Sequence, residues 1–268
     1  MTLSTYHAHT EFCDGKSTVE EMILAAIVGG ASEIGFTPHS PVPGEEWCIR
    51  CERIENYKNL LQKMKEKYKS DIKVFMGIEE EYVSNTDTGC FDFVIGSVHA
   101  TTVAGNNLWV DLSAAEVREN VKKYYNSDPY KYTEDYYERV SRVYEKTHCD
   151  IIGHFDLVTK FLERDPLFST LDERYIKQRD EALSSLLSTP ALFEINTGAI
   201  SRGYRTDPYP EDAVLRRIAE EKKPFVVNSD SHNKDTVLFG IAEQKKRLDK
   251  LGYAYVNSLS EILSITRK

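Results

Sequence analysis

Short apolar segments alternate with longer amphipathic segments along almost the entire chain, and this alternation limits the fold more than any other feature. Val74–Ile78 and Phe225–Asn228 are largely apolar on consecutive residues, as expected for strands that are buried on both faces. Such strands belong to a parallel sheet that is covered by helices. The predicted strands are Leu3–Tyr6, Glu33–Thr37, Val74–Ile78, Phe93–Val98, Ile151–Gly153, Leu192–Ile195 and Phe225–Asn228.

The segments between these strands carry apolar residues at spacings of three and four, which is typical of amphipathic helices. In the first of them, Ser17 and Glu20 are spaced as a capping box, in which both side chains satisfy free backbone N–H groups. The predicted helices are Thr18–Val28, Cys51–Tyr68, Ala114–Tyr125, Tyr132–Lys146, Asp172–Leu187, Glu211–Lys222 and Val237–Leu251, and a strand (Tyr253–Val256) and a helix (Leu259–Thr266) follow them.

Seven or eight βα units without a linker or low-complexity segment predict a single α/β domain over residues 1–268. A doubly wound sheet also fits the alternation. A barrel is favoured because polar residues follow nearly every strand, and parallel strands of a barrel end at one shared mouth. The chain contains neither GxGxxG nor GxxxxGK[ST], so no motif for binding dinucleotides or nucleotide phosphates is present.

The charge balance and the cysteines exclude several classes of protein. The 34 Lys and Arg residues against 43 Asp and Glu residues give a net charge of −9, which argues against a nucleic-acid-binding surface. The longest apolar stretch, Met22–Ala31, is too short to span a membrane, and the N-terminus does not resemble a signal peptide. Cys48 and Cys51 form a CxxC pair without a second pair, so we expect structural or incidental thiols, with a redox dithiol as the alternative. A cytoplasmic location is expected.

Histidines and carboxylates follow the predicted strands. Six of the seven histidines lie at the ends of strands, where a barrel would bring them to one mouth, and only His148 lies at the opposite end. The residues that follow the strands are His7, His9, His39, Glu79, His99, His154, Asp230 and His232. Imidazoles and carboxylates together are the usual ligands of Zn, Fe and Mn. Because a zinc ion usually takes four ligands, this set predicts two or three divalent metal ions.

Several short motifs resemble those of the PHP (polymerase and histidinol phosphatase) superfamily. The motifs are His7-Ala8-His9-Thr10, Asp14-Gly15, Thr37-Pro38-His39, Gly77-Ile78-Glu79, Ser97-Val98-His99, Gly153-His154 and Asp230-Ser231-His232. The resemblance implies a distorted TIM-like (β/α)7 barrel with up to three metal ions at the carboxyl ends of its strands. It implies three ligand sets: His7, His9, Glu79 and Asp230 for the first metal, Glu79, His99 and His154 for the second, and Asp14, His39 and His232 for the third.

A metal centre of this kind suits the hydrolysis of a phosphate ester. We expect attack on phosphorus by a metal-bridging hydroxide, with Glu79, Asp230 and His232 as catalytic residues. The expected substrate-binding residues are Lys160, Arg202, Arg205 and His39, of which the Arg residues could bind a phosphate bidentately. One of Glu45, Glu80 and Glu81 would receive the amine of the substrate. Two stretches, Gly153–Phe161 and Glu194–Arg205 together with Tyr209-Pro210, resemble the histidinol-phosphatase branch. This resemblance implies L-histidinol phosphate as the substrate, in histidine biosynthesis.

Other functions remain open on the sequence alone. A related phosphoesterase could act on another small phosphate ester or on a nucleotide. A non-catalytic metal-binding protein would need no open coordination position. A metal-dependent amidohydrolase would not need the two Arg residues after the sixth strand, and a polymerase-associated module would need a basic groove.

Overall fold

The computed structural model describes residues 2–267, and its main element is a sheet of seven parallel strands. In spatial order these strands are β1 (Leu3–Thr5), β2 (Ala31–Phe36), β3 (Lys73–Glu81), β4 (Phe93–Ser97), β7 (Ile151–Ile152), β8 (Leu192–Asn196) and β9 (Phe225–Asn228). Two further strands, β5 (Ala100–Val103) and β6 (Asn106–Trp109), form an antiparallel hairpin. The predicted (β/α)7 barrel is confirmed.

Helices connect the strands and cover the outside of the sheet. They are α1 (Val19–Val28), α2 (Ile54–Lys67), α3 (Ala114–Tyr124), α4 (Pro129–Ser141), α5 (Val143–Thr147), α6 (Glu173–Leu187), α7 (Gly198–Ser201), α8 (Asp212–Glu220), α9 (Ile241–Leu251) and α10 (Leu259–Thr266). Over residues 2–267, none of them combines the length and the apolar character that crossing a bilayer requires.

The first and last strands of the sheet meet at a seam close to the carboxyl ends of the strands. Ala8 forms a parallel bridge with Ser231, and the backbone N–H of His9 donates to the Ser231 carbonyl at 2.8 Å. The hydroxyls of Thr5 and Ser229 lie 3.2 Å apart below this bridge. The barrel is therefore closed between residues from the two ends of the chain.

The interior of the barrel is apolar below the mouth. The Phe93 ring packs against β2 and β3, where a Cβ atom on Gly35 or Gly77 would lie 2.7 Å or 2.5 Å from that ring. Because residues two apart on a strand share a face, Gly77 and Glu79 both point into the barrel, with Phe93 beneath the carboxylate. Ile262 of α10 belongs to the same buried cluster as Phe93, so the last helix closes the bottom.

Several helix boundaries in the structure differ from the predicted ones because of local hydrogen bonds. The capping box of α1 uses Thr18 and Glu21 rather than Ser17 and Glu20, because Thr18 has extended backbone and its hydroxyl accepts from Glu21 N–H. The predicted helix Tyr132–Lys146 begins earlier, at Pro129, where Asp128 caps it. It ends at Ser141, and α5 follows after Arg142.

The end of the chain also differs from the prediction. The helix predicted from Val237 starts at Ile241, because Gly240 adopts a left-handed backbone with φ of 72°. The predicted strand Tyr253–Val256 is reduced to one bridge between Phe225 and Tyr255. The hairpin of β5 and β6 was not predicted, and its second strand ends at Trp109.

Candidate metal centre

His7 and His9 follow β1 and are fully buried at the mouth of the barrel. Their ring centroids are 5.1 Å apart, and Ala8 between them holds the backbone at the seam. On extended backbone, residues two apart point to the same side. Both imidazoles therefore face the same space, as the sequence predicts.

Glu79, at the end of β3, directs its Oε2 atom at three imidazoles. Oε2 lies 2.9 Å from His39 Nδ1, 3.3 Å from His7 Nε2 and 3.5 Å from His9 Nε2. The side chain is almost completely buried. A single carboxylate oxygen thus joins ligands that come from β1 and from the segment after β2.

The other oxygen of Glu79, Oε1, faces histidines from β4 and β7. It lies 3.0 Å from His154 Nε2 and 3.6 Å from His99 Nε2, and it accepts a hydrogen bond from Ser97 Oγ at 2.6 Å. Glu79 therefore stands between two groups of imidazoles. This is the arrangement that a carboxylate bridging two cations requires.

Asp230 follows β9 and joins the group around His7 and His9. Its Oδ1 atom lies 3.3 Å from His9 Nε2 and 3.7 Å from His7 Nε2, whereas its Oδ2 atom accepts from Arg202 Nη2 at 3.0 Å. Asp230 has a left-handed backbone with φ of 47°, which is unfavourable for a residue with a Cβ atom. Such strain is common at functional sites.

Asp14 lies at the outer edge of the centre. Its Oδ2 atom lies 3.2 Å from His232 Nε2, and its Oδ1 atom lies 3.7 Å from His39 Nε2. The rings of His9 and His232 are stacked, with centroids 4.2 Å apart. Asp14 is more exposed than the other carboxylates of the centre, so the outer group is open to solvent.

Three groups of side chains have ligand atoms within 4.8 Å of one another, and they overlap more than the three sets implied by the resemblance. The groups are His7, His9 and Asp230, then His39, Glu79 and His99, then His9, Asp14, His39 and His232. His39 belongs to two of these groups, since it presents one ring nitrogen to Glu79 and the other to Asp14, whereas His154 lies outside them although its Nε2 atom is 3.0 Å from Glu79 Oε1. All nine residues of the implied sets are brought together, and exposed His148 lies apart from them, before β7.

Several buried polar atoms of the centre have no hydrogen-bond partner within residues 2–267. They include His7 Nε2, His9 Nε2 and Glu79 Oε2, since the 2.9 Å contact between His39 Nδ1 and Glu79 Oε2 lacks hydrogen-bond geometry; all three atoms face the same space. A buried polar atom without a partner costs about 1–3 kcal/mol. A cation bound between these lone pairs would satisfy them together, so the residues present fit a metal ion.

Protons and a cation would compete for the ligands of the centre, because the buried carboxylates, Glu79 among them, raise the pKa of His7, His39 and His99. Burial raises the pKa of Glu79, but the imidazoles of His7 and His39 outweigh this effect and hold that pKa well below its usual range. Burial together with the neighbouring His232 and His39 lowers the pKa of His9 to about 3. An ionised carboxylate and a neutral imidazole are the forms that bind metals.

Two buried carboxylates lie behind these histidines: Glu194, which the sequence analysis did not assign to the site, and Glu81, which it considered only for the substrate amine. Glu194 Oε2 lies 3.0 Å from His7 Nδ1, and Glu81 contacts both the Nδ1 atom and the backbone N–H of His99. Carboxylates in this position orient metal-binding imidazoles. Glu194 is the one charged residue in the strand Leu192–Asn196, and this signal could have identified it.

A cavity of about 240 Å³ opens above the centre. Its floor contains Glu79 and Asp230, and its wall contains two cationic side chains, those of Lys160 and Arg202. Lys160 Nζ is held by the Asp111 side chain at 3.2 Å, and Asp111 also lines the cavity. Phosphate-sized space, cations and metal-binding groups therefore occur together.

Trp47 and Trp109 form one side of this cavity, with ring centroids 4.9 Å apart. Glu45 accepts from both indole N–H groups, at 2.8 Å from Trp47 and 3.0 Å from Trp109. The hairpin of β5 and β6 supplies Trp109, so this part of the cavity wall comes from a pair of strands that was not predicted.

Arg205, in contrast, does not line the cavity. Its Nη1 atom contacts Thr159, its Nε atom donates to the Asp207 carbonyl at 3.1 Å, and its guanidinium lies 4.6 Å from the centre of the Tyr209 ring. The prediction of a substrate-binding Arg205 has no geometric support, because the side chain turns away over Tyr209.

The three carboxylates expected to receive a substrate amine are also engaged elsewhere. Glu45 is held by the two indoles, and Glu81 is held by His99. Glu80 accepts from the backbone N–H of Thr86 at 2.9 Å, since it points away from the face that carries Glu79. None of the three lines the cavity.

The fold and this site define the class of α/β barrels that can bind several metal ions at the mouth of the barrel. The chain belongs to the PHP domain family, whose model matches residues 5–198. The predicted resemblance is thereby confirmed.

Similar proteins agree with the predicted branch of the family. A "Probable histidinol-phosphatase" of Schizosaccharomyces pombe is 26% identical over 94% of this chain and 87% of its own length. A "Probable histidinol-phosphatase" of Deinococcus radiodurans is 28% identical over 92% of each chain. The solved structure of histidinol phosphate phosphatase from Lactococcus lactis, in complex with Zn, L-histidinol and phosphate, shares the fold with a TM-score of 0.73, 20% identity and 95% coverage of each chain.

Proposed function

We propose that this protein is a metal-dependent histidinol-phosphatase, which hydrolyses L-histidinol phosphate to L-histidinol and phosphate in histidine biosynthesis. The observation that carries the proposal is the cavity with a cluster of imidazoles and carboxylates on its floor and two cationic side chains, Lys160 and Arg202, on its wall. The names of the relatives support the choice of substrate, and the zinc, histidinol and phosphate of the Lactococcus lactis structure support both metal and ligand.

The residues of the centre would hold two or three divalent ions, Zn, Fe or Mn. Glu79 would bridge two of them, because its two oxygens face separate groups of imidazoles. Asp14, His39 and His232 would hold the outer ion, the one closest to solvent. Divalent ions in such a centre activate water and stabilise charge on the phosphoryl oxygens.

Arg202 and Lys160 would bind the phosphate. Asp230 Oδ2 fixes the Arg202 guanidinium from one side, and the Asp230 carbonyl accepts from its Nη1 atom at 2.8 Å. This leaves a pre-oriented planar cation at the cavity, which suits bidentate contact with phosphate oxygens. Lys160, held by Asp111, adds a second positive charge across the cavity.

Asp230 and His232 are the groups that we assign to proton movement. His232 Nδ1 lies 3.7 Å from Asp230 Oδ1 and 3.0 Å from Arg202 Nη1, and the His232 side chain is 17% exposed, so its ring lies at the solvent side of the site. Asp230 itself is ionised, because Arg202 and His7 outweigh the effect of burial and hold its pKa well below the usual range. An ionised carboxylate beside an imidazole can accept and stabilise a proton in transit.

Asp111 is the carboxylate that we assign to the amine of the substrate. Outside the metal-binding groups it is the one described acidic residue that lines the cavity. The neighbouring Lys160 outweighs burial and lowers its pKa, so the carboxylate is charged. A charged carboxylate at the rim favours a cationic substrate over a neutral one.

Phosphate release from L-histidinol phosphate tests the proposal. The metal-replete protein is compared with protein treated with a chelator, on histidinol phosphate, phenyl phosphate, a nucleoside monophosphate and a phosphodiester. We expect a strong preference for histidinol phosphate that disappears with the metal and returns when metal is added. A preference for another ester would contradict the proposed substrate but not the metal centre. No release of phosphate from any ester would contradict the proposed phosphatase activity.

A further inference from the structure

Glu194 is a buried carboxylate surrounded by hydrogen-bond donors from four strands of the barrel. Its Oε1 atom accepts from the backbone N–H of His154 at 2.7 Å and from Asn196 Nδ2 at 2.8 Å. Its Oε2 atom accepts from Asn228 Nδ2 at 2.9 Å and lies 3.0 Å from His7 Nδ1. These partners follow or end β7, β8, β9 and β1.

The orientation of both amides is fixed independently of Glu194. The Oδ1 atom of Asn196 accepts from Gly198 N–H at 2.9 Å, and the Oδ1 atom of Asn228 accepts from Tyr6 N–H at 2.8 Å. Because backbone N–H groups can only donate, both amides must present their NH2 groups to Glu194. The carboxylate therefore receives three certain donors, which favours its ionised, acceptor-only form.

This environment determines the tautomer of His7. An ionised carboxylate has no proton to offer, so the Nδ1 atom of His7 must carry the hydrogen that joins them. The lone pair of a neutral His7 then lies on Nε2, which faces Asp230 and Glu79 and has no hydrogen-bond partner within residues 2–267. The ring is held with its metal-binding atom toward the centre.

We infer that Glu194 is a positioning residue that fixes His7 in the Nδ1–H tautomer and thereby makes its Nε2 atom a metal ligand. This inference rests on the proposed metal centre and does not depend on the substrate. A purely structural role, in which Glu194 only ties the ends of the strands together, is the alternative. The two roles predict different results for an amide at this position.

In Glu194→Gln, the amide oxygen can still accept from His154 N–H and Asn196. Its NH2 group, however, would face both His7 Nδ1 and Asn228 Nδ2 and could accept from neither. Nδ1 would then have to accept, which puts the hydrogen on Nε2 and removes the lone pair from the metal site. Loss of a partner behind a metal ligand typically weakens metal affinity about 10–100-fold, and we expect a loss of that size here.

Glu33→Gln is the matched control. Glu33 is also a buried carboxylate, but it lies at the other end of the barrel, where it accepts from the Tyr6 hydroxyl at 2.6 Å and from Leu259 N–H at 2.9 Å. Both variants lose a buried charge, so both should lose stability. Only Glu194→Gln should weaken metal binding, measured with Co²⁺ by competition with a chelator, and change the visible absorption of the bound Co²⁺.

Equal affinity and the same Co²⁺ spectrum in Glu194→Gln and the wild type would overturn the inference. Failure of the wild type to bind Co²⁺ would instead overturn the proposed metal centre, so the two failures are distinguishable. Asn228→Ala separates the roles further, because it removes one hydrogen bond to Glu194 without touching His7 Nδ1. We expect it to lower stability and to leave metal affinity within about twofold of the wild type.

A measurement on the wild type covers the case in which Glu194→Gln does not fold. In Zn²⁺-loaded protein labelled with ¹⁵N-histidine, long-range ¹H–¹⁵N spectra distinguish the two ring nitrogens. We expect His7 to show a protonated Nδ1 with a slowly exchanging hydrogen. A deprotonated Nδ1 on His7 would overturn the inference.

Discussion

Glu79 faces five imidazoles through two oxygens, and at the scale of single residues its removal should be the most damaging change to the centre. We expect Glu79→Gln to lose metal and to lower kcat/KM for histidinol phosphate by more than the roughly 10–100-fold that partners behind metal ligands contribute. The physical reason is the loss of the negative charge between two groups of ligands. Metal analysis and phosphate release measure it, with Glu33→Gln as the control. Full metal content with full turnover would contradict the assignment.

Asp111 should control specificity rather than chemistry. In Asp111→Asn the rim loses its charge, so KM for the cationic histidinol phosphate should rise about tenfold or more, in line with the 1.5–3 kcal/mol of a hydrogen bond to a charged group. Phenyl phosphate has no amine, and its kcat/KM reports any effect through Lys160 alone. An equal decrease in kcat/KM for histidinol phosphate and phenyl phosphate would show that Asp111 acts only through Lys160.

The sequence predicts the metal-binding residues of the centre better than the residues that hold other side chains of the site in place. The histidines and Glu79 are recognisable because they follow predicted strands and stand in motifs. Glu194 and Asp111 are not, because their importance depends on which side chains lie across the barrel. The direction of a long side chain is also hidden from sequence, and Arg205, which packs on Tyr209 instead of facing the cavity, shows this.

At the scale of elements, the short helix α7 (Gly198–Ser201) begins against the centre. A Cβ atom on Gly198 would lie 2.6 Å from Asp230 Oδ2 and 2.8 Å from Arg202 Nη2. We expect Gly198→Ala to displace both groups and to lower kcat/KM about 10–100-fold, since a shift of 1 Å in a site can cost 10²-fold. Gly89→Ala is the control, because its Cβ atom would meet only the Asp87 side chain. Unchanged kinetics in Gly198→Ala would contradict the prediction.

The start of α1 provides a test of stability alone. Thr18→Ala removes the cap that the structure assigns to Thr18, and the expected loss is about 1 kcal/mol of the free energy of unfolding. Urea denaturation measures this loss. The helix lies outside the cavity, so kcat/KM should not change. An unchanged urea midpoint would contradict the role of Thr18 as the cap.

The spacing of apolar residues predicts whether a segment is a helix or a strand. The residues at which the segment begins and ends depend on single contacts that the spacing does not show. The seven strands and most helices follow the apolar pattern, because burial on both faces or on one stripe is a strong signal. The hairpin of β5 and β6 was missed because Ala100–Val103 and Asn106–Trp109 are short and polar for strands. The prediction for α9 began too early, because Gly240, with its left-handed backbone, precedes the true start of the helix at Ile241.

At the scale of the whole molecule, the metal ions should stabilise the barrel. The centre joins side chains from strands that are distant in sequence, so metal binds the folded state and not the unfolded chain. At free metal about 1,000 times Kd, the free energy of unfolding should rise by about 4 kcal/mol. For a chain of this size that corresponds to a shift in Tm on the order of 10 °C, measured by calorimetry with and without a chelator. An unchanged Tm would contradict a metal bound across the seam.

The seam between Ala8 and Ser231 has a consequence for biosynthesis. The ribosome makes the His7-Ala8-His9 segment first and the Asp230-Ser231-His232 segment nearly the whole chain later. At roughly 5–20 residues per second, the first histidines wait on the order of tens of seconds for their partners. A nascent chain therefore carries exposed imidazoles without a finished coordination sphere. A metal ion held by His7, His9 and Asp230 can therefore bind only after the last strand of the barrel has been made.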